Sequence, residues 1–206
     1  MCVTKKFTVY LVDDDPAVLK ALSRLLRARG YDVKPYSSPH IFLEEHDVAV
    51  PGCVVLDVSM PGLDGFELQS ALALVGSQRP VVFITGKGDI PTSVRAMKTG
   101  AIDFLTKPVR DEDMFAALSR AEDEDAKSRR FQSDLTSLRA KIGTLTPRER
   151  EVLAHVIAGR MNKQIAGDLG TVEKTIKVHR SRMMQKLGVR AVADLVRMVG
   201  KLNLTK

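Results

Sequence analysis

The pattern of apolar and polar positions divides this chain into two stretches of different character. From residue 7 to about 125, short runs rich in β-branched residues alternate with stretches whose apolar positions recur every three to four residues. Phe7–Val12, Tyr31–Tyr36, Cys53–Val58, Val81–Thr85 and Ile102–Thr106 read as strands. Pro16–Arg29, residues 39–47, Gly65–Val75 and Ile90–Lys98 read as helices, and a further helix starts near Asp111. Val18, Leu22, Leu25 and Leu26 share one face of the first helix; Gly30 and Gly100 stop the first and fourth. Five such repeats with buried-looking strands predict a doubly wound, five-stranded parallel sheet with helices on both faces, an α/β fold.

Residues 121–141 are highly charged, with few apolar positions and no Pro or Gly, and read as a helical extension and linker. From Leu145 the period is helical throughout. Thr146-Pro147-Arg148-Glu149 has a cap residue, Pro at the first helical position and Glu three after the cap, a capping box. Val152, Leu153, Val156 and Ile157 give that helix its apolar face, and Gly159 closes it. Asn162–Leu169, Glu173–Leu187 and Ala191–Leu202 complete a four-helix, all-α module; its short helices and tight glycine turns suggest a helix-turn-helix. The predicted organisation is therefore 1–125 α/β, 126–142 helical linker and 143–206 helix-turn-helix.

Charge sharpens the division. Residues 1–125 carry 14 Lys and Arg against 19 Asp and Glu, a net of −5, whereas 126–206 carry 18 against 6, a net of +12. So basic a second module points to a polyanion as its partner. Cys2 and Cys53 are too few for a disulfide framework, and His40, His46, His155 and His179 lack metal-ligand spacing. No apolar run approaches the ~20 residues of a membrane span. The apolar stretch before Asp13 is too short for a signal peptide, so a cytoplasmic location is expected. On that view the Asn203-Leu204-Thr205 glycosylation pattern is chance.

Ligands of an open parallel sheet bind beyond the carboxyl ends of its strands. Asp13, Asp14 and Asp15 follow the first strand, Asp57 ends the third, Thr85 the fourth, and Lys107 before Pro108 the fifth. Asp15 precedes Pro16 and reads as a helix N-cap; Asp13 and Asp14 have an alternative as helix-dipole acids. Asp57, a charge within an apolar strand, needs a partner. Carboxylates gathered there repel, and hard oxygen ligands favour Mg²⁺ or another divalent cation. With Lys107 and a cation to neutralise an incoming phosphoryl group, Asp57 can act as its nucleophile. Gly86-Lys87-Gly88 lacks the remainder of a P-loop and reads as the loop after the fourth strand.

The order Asp13-Asp14, Asp57, Thr85, Lys107-Pro108 resembles the active-site pattern of two-component response regulator receiver domains, which have a flavodoxin-like (βα)5 fold. FITGKGDIPTSVRAMKTGAIDFLTKP resembles the FixJ-like (NarL/FixJ) subgroup. The resemblance implies that Asp57 accepts phosphate from a sensor histidine kinase. It implies that Asp14, Asp57 and the backbone carbonyl of Ser59 bind Mg²⁺, with Asp13 helping through water. It further implies that Thr85 and Lys107 grip the phosphoryl oxygens, that the Lys107–Pro108 bond is cis, and that Phe104 is the aromatic switch. Ser59 and Lys87 occupy places that tune phosphate lifetime.

On a helical wheel, Lys177, Val178, Ser181 and Gln185 fall within about 60° of Lys174, and Ile176, Met183 and Leu187 lie opposite. Alone, this is the pattern of a solvated surface helix; in a module of net +12 it suits a helix in a DNA major groove. LTPREREVL, Asn162–Ala166, Lys174–His179 and Lys186–Val189 are similar to the LuxR-type helix-turn-helix. By that resemblance Lys177, Val178 and Ser181 touch base edges, while Lys163, Lys174, Thr175 and Arg182 contact the backbone. Where the family has an apolar residue and then Ser before this helix, the chain has Thr171-Val172; the lost Ser cap costs typically ~1 kcal/mol unless Thr171 substitutes with a shifted start. The apolar stripe of the last helix has two readings, packing within the module and homodimerisation on a two-fold operator.

These expectations combine into a phosphorylation-dependent, DNA-binding transcription regulator, not an enzyme, that dimerises on phosphorylation, with RNA polymerase a further candidate partner and no membrane association. Two rivals stand beside it: a phosphoryl-transfer enzyme whose basic tail binds an acidic substrate, and a degenerate receiver that dimerises without phosphate. The motifs of the basic tail weigh against the first, and the full residue set at the strand ends against the second.

Overall fold

The computed structural model describes residues 7–203; Cys2 lies outside them, and the Asn203-Leu204-Thr205 pattern runs beyond them. The chain divides into two compact units, Met1–Arg129 and Arg130–Lys206.

In the first unit, β1 (Thr8–Val12), β2 (Asp32–Tyr36), β3 (Gly52–Asp57), β4 (Val81–Thr85) and β5 (Asp103–Thr106) alternate with α1 (Pro16–Ala28), α2 (Pro39–Glu45), α3 (Gly65–Leu74) and α4 (Ile90–Lys98) before α5 (Asp111–Gly143). The sheet has the order β2-β1-β3-β4-β5, and every pairing is parallel. Strands β1, β3 and β4 are buried along their whole length, which is why their sequences are apolar runs rather than alternating ones. One apolar cluster joins Val9, Leu11 and Val55 to Leu22 and Leu26 of α1 and Met114 and Leu118 of α5. The other joins Tyr10, Leu56 and Phe83 to Phe42 of α2, Phe66 and Leu68 of α3 and Ala96 of α4. The order reverses between β1 and β3, and a crevice at the carboxyl ends of those two strands is where such a sheet binds ligands.

Local chemistry sets the helix starts. Asp15 caps α1 by accepting from the Ala17 N–H at 2.8 Å, as its place before Pro16 predicts. Asp64 and Glu67 form a capping box on α3, and Asp89 caps α4. Gly65 is needed for another reason: a Cβ there would sit 2.5 Å from the Asp57 carbonyl oxygen. Its absence lets α3 start hard against the strand end that carries Asp57, and the Gly65 N–H donates to the Val58 carbonyl at 3.0 Å.

Helix α5 is continuous over 33 residues, and the division between the units falls within it. Arg129 is the last residue of the first unit. Its guanidinium pairs with Asp125 and donates to the carbonyls of Val48, Ala49 and Val50. The second unit has α6 (Pro147–Ile157), α7 (Asn162–Asp168), α8 (Glu173–Leu187) and α9 (Val192–Asn203) around one apolar cluster built on Val152, Val156, Ile165, Ile176, Met183, Leu187 and Leu195. The predicted capping box of α6 is present: Glu149 N–H donates to the Thr146 hydroxyl, and Thr146 N–H donates to the Glu149 carboxylate.

Candidate functional site

The carboxyl ends of β1 and β3 bring Asp13, Asp14 and Asp57 together, with one carboxylate oxygen from each lying within 4.8 Å of the others. Asp13 and Asp57 are buried and Asp14 is exposed, so the cluster opens to solvent on one side. Lys107, carried past the end of β5, spans the two buried acids: Nζ lies 2.6 Å from Asp13 Oδ2 and 2.9 Å from Asp57 Oδ1. The Lys107–Pro108 peptide is cis, as the resemblance implies. Backbone donors serve the other oxygens, with Asp15 N–H on Asp13 Oδ1 at 2.9 Å and Ser59 N–H on Asp57 Oδ2 at 3.0 Å.

Electrostatics of the cluster follow from burial. Loss of solvent pushes the Asp13 carboxyl above its ordinary value, against the bonds from Lys107 and Asp15 N–H that pull it down. Burial works to lower the Lys107 ammonium, but its bonds to Asp13 and Asp57 outweigh that and hold it above its ordinary value. Three carboxylates and one ammonium leave surplus negative charge on hard oxygen donors, so the donor set fits a divalent ion.

Thr85 is buried at the end of β4, its hydroxyl accepting from the Lys87 N–H at 3.2 Å and donating to the Lys87 carbonyl at 3.3 Å. Phe104 is half-buried on β5 against the second cluster. Its N–H donates to the side chain of Asp103, which also pairs with Arg120 of α5. Ser59 and Lys87 stand in the loops after β3 and β4, Ser59 exposed.

The second unit presents α8. Ile176, Met183 and Leu187 are fully buried in its cluster, and Lys174, Lys177, Val178, Ser181 and Arg182 are exposed; Thr175 is half-buried. Lys163 is exposed on the first turn of α7. Lys177 pairs with Glu173 one turn back at 3.0 Å, an exposed contact that a stronger anion can replace. The start of α8 corrects one expectation. Val172 occupies the N-cap with no side-chain bond, and Thr171 does not substitute. Thr171 sits one residue too early, in the turn, where its N–H bonds the Ala166 carbonyl.

Two ties that the sequence did not disclose hold α8 in place. Arg180 donates to the Asn162 side chain at the head of α7, 2.8 Å away. Lys186 Nζ lies 2.7 Å from the Glu149 carboxylate, itself only 2 % exposed, and bonds the Thr144 carbonyl. The bond from Lys186 and the Thr146 N–H hold the Glu149 carboxyl below its unfolded value of 4.5. A carboxyl lowered on folding stabilises the fold fully above its unfolded value, and that contribution disappears as pH falls through the lower folded value. Glu149→Gln is therefore expected to weaken amide-exchange protection across α6 and α8 at pH 7, with the difference from wild type shrinking below pH 4.5. A difference constant from pH 7 to about pH 3 would contradict this role.

Residues 9–119 match the response regulator receiver domain family, and residues 143–199 match the luxR family of bacterial regulatory proteins. The chain is 42% identical over 200 residues to Nodulation protein W of Bradyrhizobium diazoefficiens, spanning 97% of this chain and 88% of that one. It is 44% identical over 195 residues to Response regulator protein TmoT of Ectopseudomonas mendocina, spanning 95% and 89%. Against Transcriptional regulatory protein FixJ of B. diazoefficiens the identity is 37% over 204 residues, spanning 98% and 100%. Among solved structures, the response regulator StyR superposes with a TM-score of 0.80 at 45% identity, covering 95% of this chain and 99% of that one. Among the described residues no helix is long and apolar enough to cross a membrane. A parallel five-stranded unit with acids at its strand ends, joined to a four-helix unit of the luxR type, places this chain in the FixJ-type response regulator family, as a DNA-binding transcription regulator of a two-component system and not an enzyme.

Proposed function

We propose that residues 1–125 accept a phosphoryl group on Asp57 from a sensor histidine kinase, and that the modification raises the affinity of residues 143–206 for a specific DNA duplex, with 126–142 as helical linker. The observation that carries this reading is the closure of Asp13, Asp14 and Asp57 into one cluster, with Lys107 bridging its two buried members. A carboxylate oxygen of Asp57 forms the new bond to phosphorus as the phosphorus–nitrogen bond of the donor breaks, the electron pair leaving with the imidazole. Asp13, Asp14, Asp57 and the Ser59 carbonyl would hold Mg²⁺, which supplies charge neutralisation at the phosphoryl oxygens.

The rest of the work falls to this chain's own side chains. The phosphoryl group carries roughly −1.5 to −2 charges where the Asp57 carboxylate carried about −1, and it moves that charge outward onto new acceptor oxygens beside Asp13. Lys107 then exchanges its bond to the Asp57 carboxylate for a phosphoryl oxygen. Thr85 gives up its long bonds to the Lys87 backbone for another, and Phe104 repacks behind it. The repacked surface favours a homodimer, matching a two-fold operator with half-sites about one helical turn apart. Lys177, Val178 and Ser181 reach base edges, and Lys163, Lys174, Thr175 and Arg182 reach phosphates. The regulator works in the cytoplasm, where RNA polymerase is a further partner.

The test is selection of binding sites from random duplex DNA by the full chain, with and without a small phosphodonor and Mg²⁺. The expected result is a two-fold motif enriched more strongly with the phosphodonor. Recovery of unselected sequence in both arms would overturn the proposal.

A further inference from the structure

We propose that Gln185 is a further specificity-determining residue, reading an adenine edge one turn beyond Ser181 on α8. This rests on the DNA-binding reading of α8 above. Gln185 falls between Lys174 and Val178 on the helical wheel, so it continues the exposed stripe of Lys177, Val178 and Ser181 toward the carboxyl end of the helix. At 1.5 Å per residue it stands about 6 Å beyond Ser181 and about 12 Å beyond Lys177. The second distance is about three to four base-pair steps of 3.4 Å.

The surroundings select Gln185 over its cationic neighbours. Arg180 is held by Asn162, and Lys186 by Glu149 and the Thr144 carbonyl, so both already have partners within the unit. Gln185 is exposed, and its side-chain amide makes no hydrogen bond among the described residues. It lines an open groove of about 500 Å³ together with Lys177, Ser181 and, from the turn before α9, Arg190. A cation at the Gln185 position would favour a phosphate or a guanine edge. A neutral amide offers one acceptor and two donors in a plane, the complement of adenine N6 and N7 in the major groove. Arg190, exposed beside it and without an ion pair among the described residues, is placed to hold the adjoining phosphate.

The experiment is binding-site selection from random duplex DNA by the phosphodonor-treated full chain, comparing wild type, Gln185→Ala, Lys177→Ala and Arg190→Ala. Gln185→Ala is expected to lose an adenine preference at a single pair per half-site, about three to four pairs from the position altered by Lys177→Ala. It should bind the wild-type consensus about five- to tenfold more weakly, with its unfolding midpoint and salt dependence unchanged. Arg190→Ala should weaken binding to all sequences and lower the salt slope by about one. A Gln185→Ala profile identical to wild type, beside a changed Lys177→Ala profile, would overturn the role of Gln185 and leave the reading of α8 intact. Unchanged profiles for both variants would overturn that reading itself. Uniform weakening by Gln185→Ala with a reduced salt slope would make it a backbone contact, which also defeats the proposal.

Discussion

Asp57→Asn protein takes up no phosphate from a small phosphodonor and Mg²⁺ under conditions that label the wild type. The substitution preserves size and one acceptor oxygen at a position only 4 % exposed, so the end of β3 keeps its packing. Asn keeps one acceptor oxygen, so of Ser59 N–H and Lys107, which bond different oxygens of Asp57, one keeps its partner at that side chain. What is lost is the anionic oxygen that forms the bond to phosphorus, which a neutral amide does not supply. Intact-mass measurement of the two proteins, with circular dichroism to establish equal folding, checks the expectation. Equal labelling of both would remove Asp57 from the role and shift attention to Asp13 or Asp14. Those two lie in the same cluster but follow β1, where Asp13 is already held by Lys107 and the Asp15 N–H.

Ile176→Ala acts at the other end of the chain and through packing alone. Ile176 is fully buried and is one of three α8 side chains that anchor the helix to its unit. Removing three buried carbons typically costs about 2–5 kcal/mol. A domain of this size has a total stability of about 0.05–0.15 kcal/mol per residue, so the change consumes a large part of it. DNA affinity and exchange protection of α6–α9 are expected to collapse together, while phosphate uptake at Asp57 continues at the wild-type rate, because the two units have separate apolar clusters. Lys177→Ala provides the contrast. It alters an exposed side chain, and is expected to weaken DNA binding by about 1–3 kcal/mol with no loss of protection. Thermal unfolding followed by amide exchange, alongside phosphate labelling, separates the two. An Ile176→Ala protein with normal protection across α6–α9 would contradict the assignment of that cluster as the anchor of α8.

Those elements were legible in the sequence where one local rule decided them. Apolar runs ending in acids gave β1 and β3 and their place beside a ligand crevice, and Pro after Asp15 or Thr146 gave the helix starts. The acidic cluster was legible because parallel strands all deliver their last residues to one edge of the sheet. Contacts between distant positions were not. Glu149 and Lys186 are 37 residues apart, and Arg180 and Asn162 are 18 apart; Glu149 reads from the sequence as a capping-box acid only, and nothing local pairs it with Lys186 or Arg180 with Asn162. Phe131, Leu135, Leu138 and Ile142 stand in a stretch dominated by charge, which masks their spacing. Yet they recur at helical spacing, Leu135 and Leu138 are buried, and Ile142 packs on the third cluster, so this end of α5 belongs to the second unit. Thr171 misled because cap preference names the residue type but not its register; the turn uses its backbone, and the cap falls on Val172.

Titration of one selected operator with the full chain, before and after stoichiometric phosphorylation at constant salt, tests most directly whether the acidic cluster governs the hold of α8 on DNA. A coupling of about 1–3 kcal/mol predicts binding some 5–150-fold tighter after phosphorylation. Identical affinities for the fully labelled and unlabelled protein would contradict it.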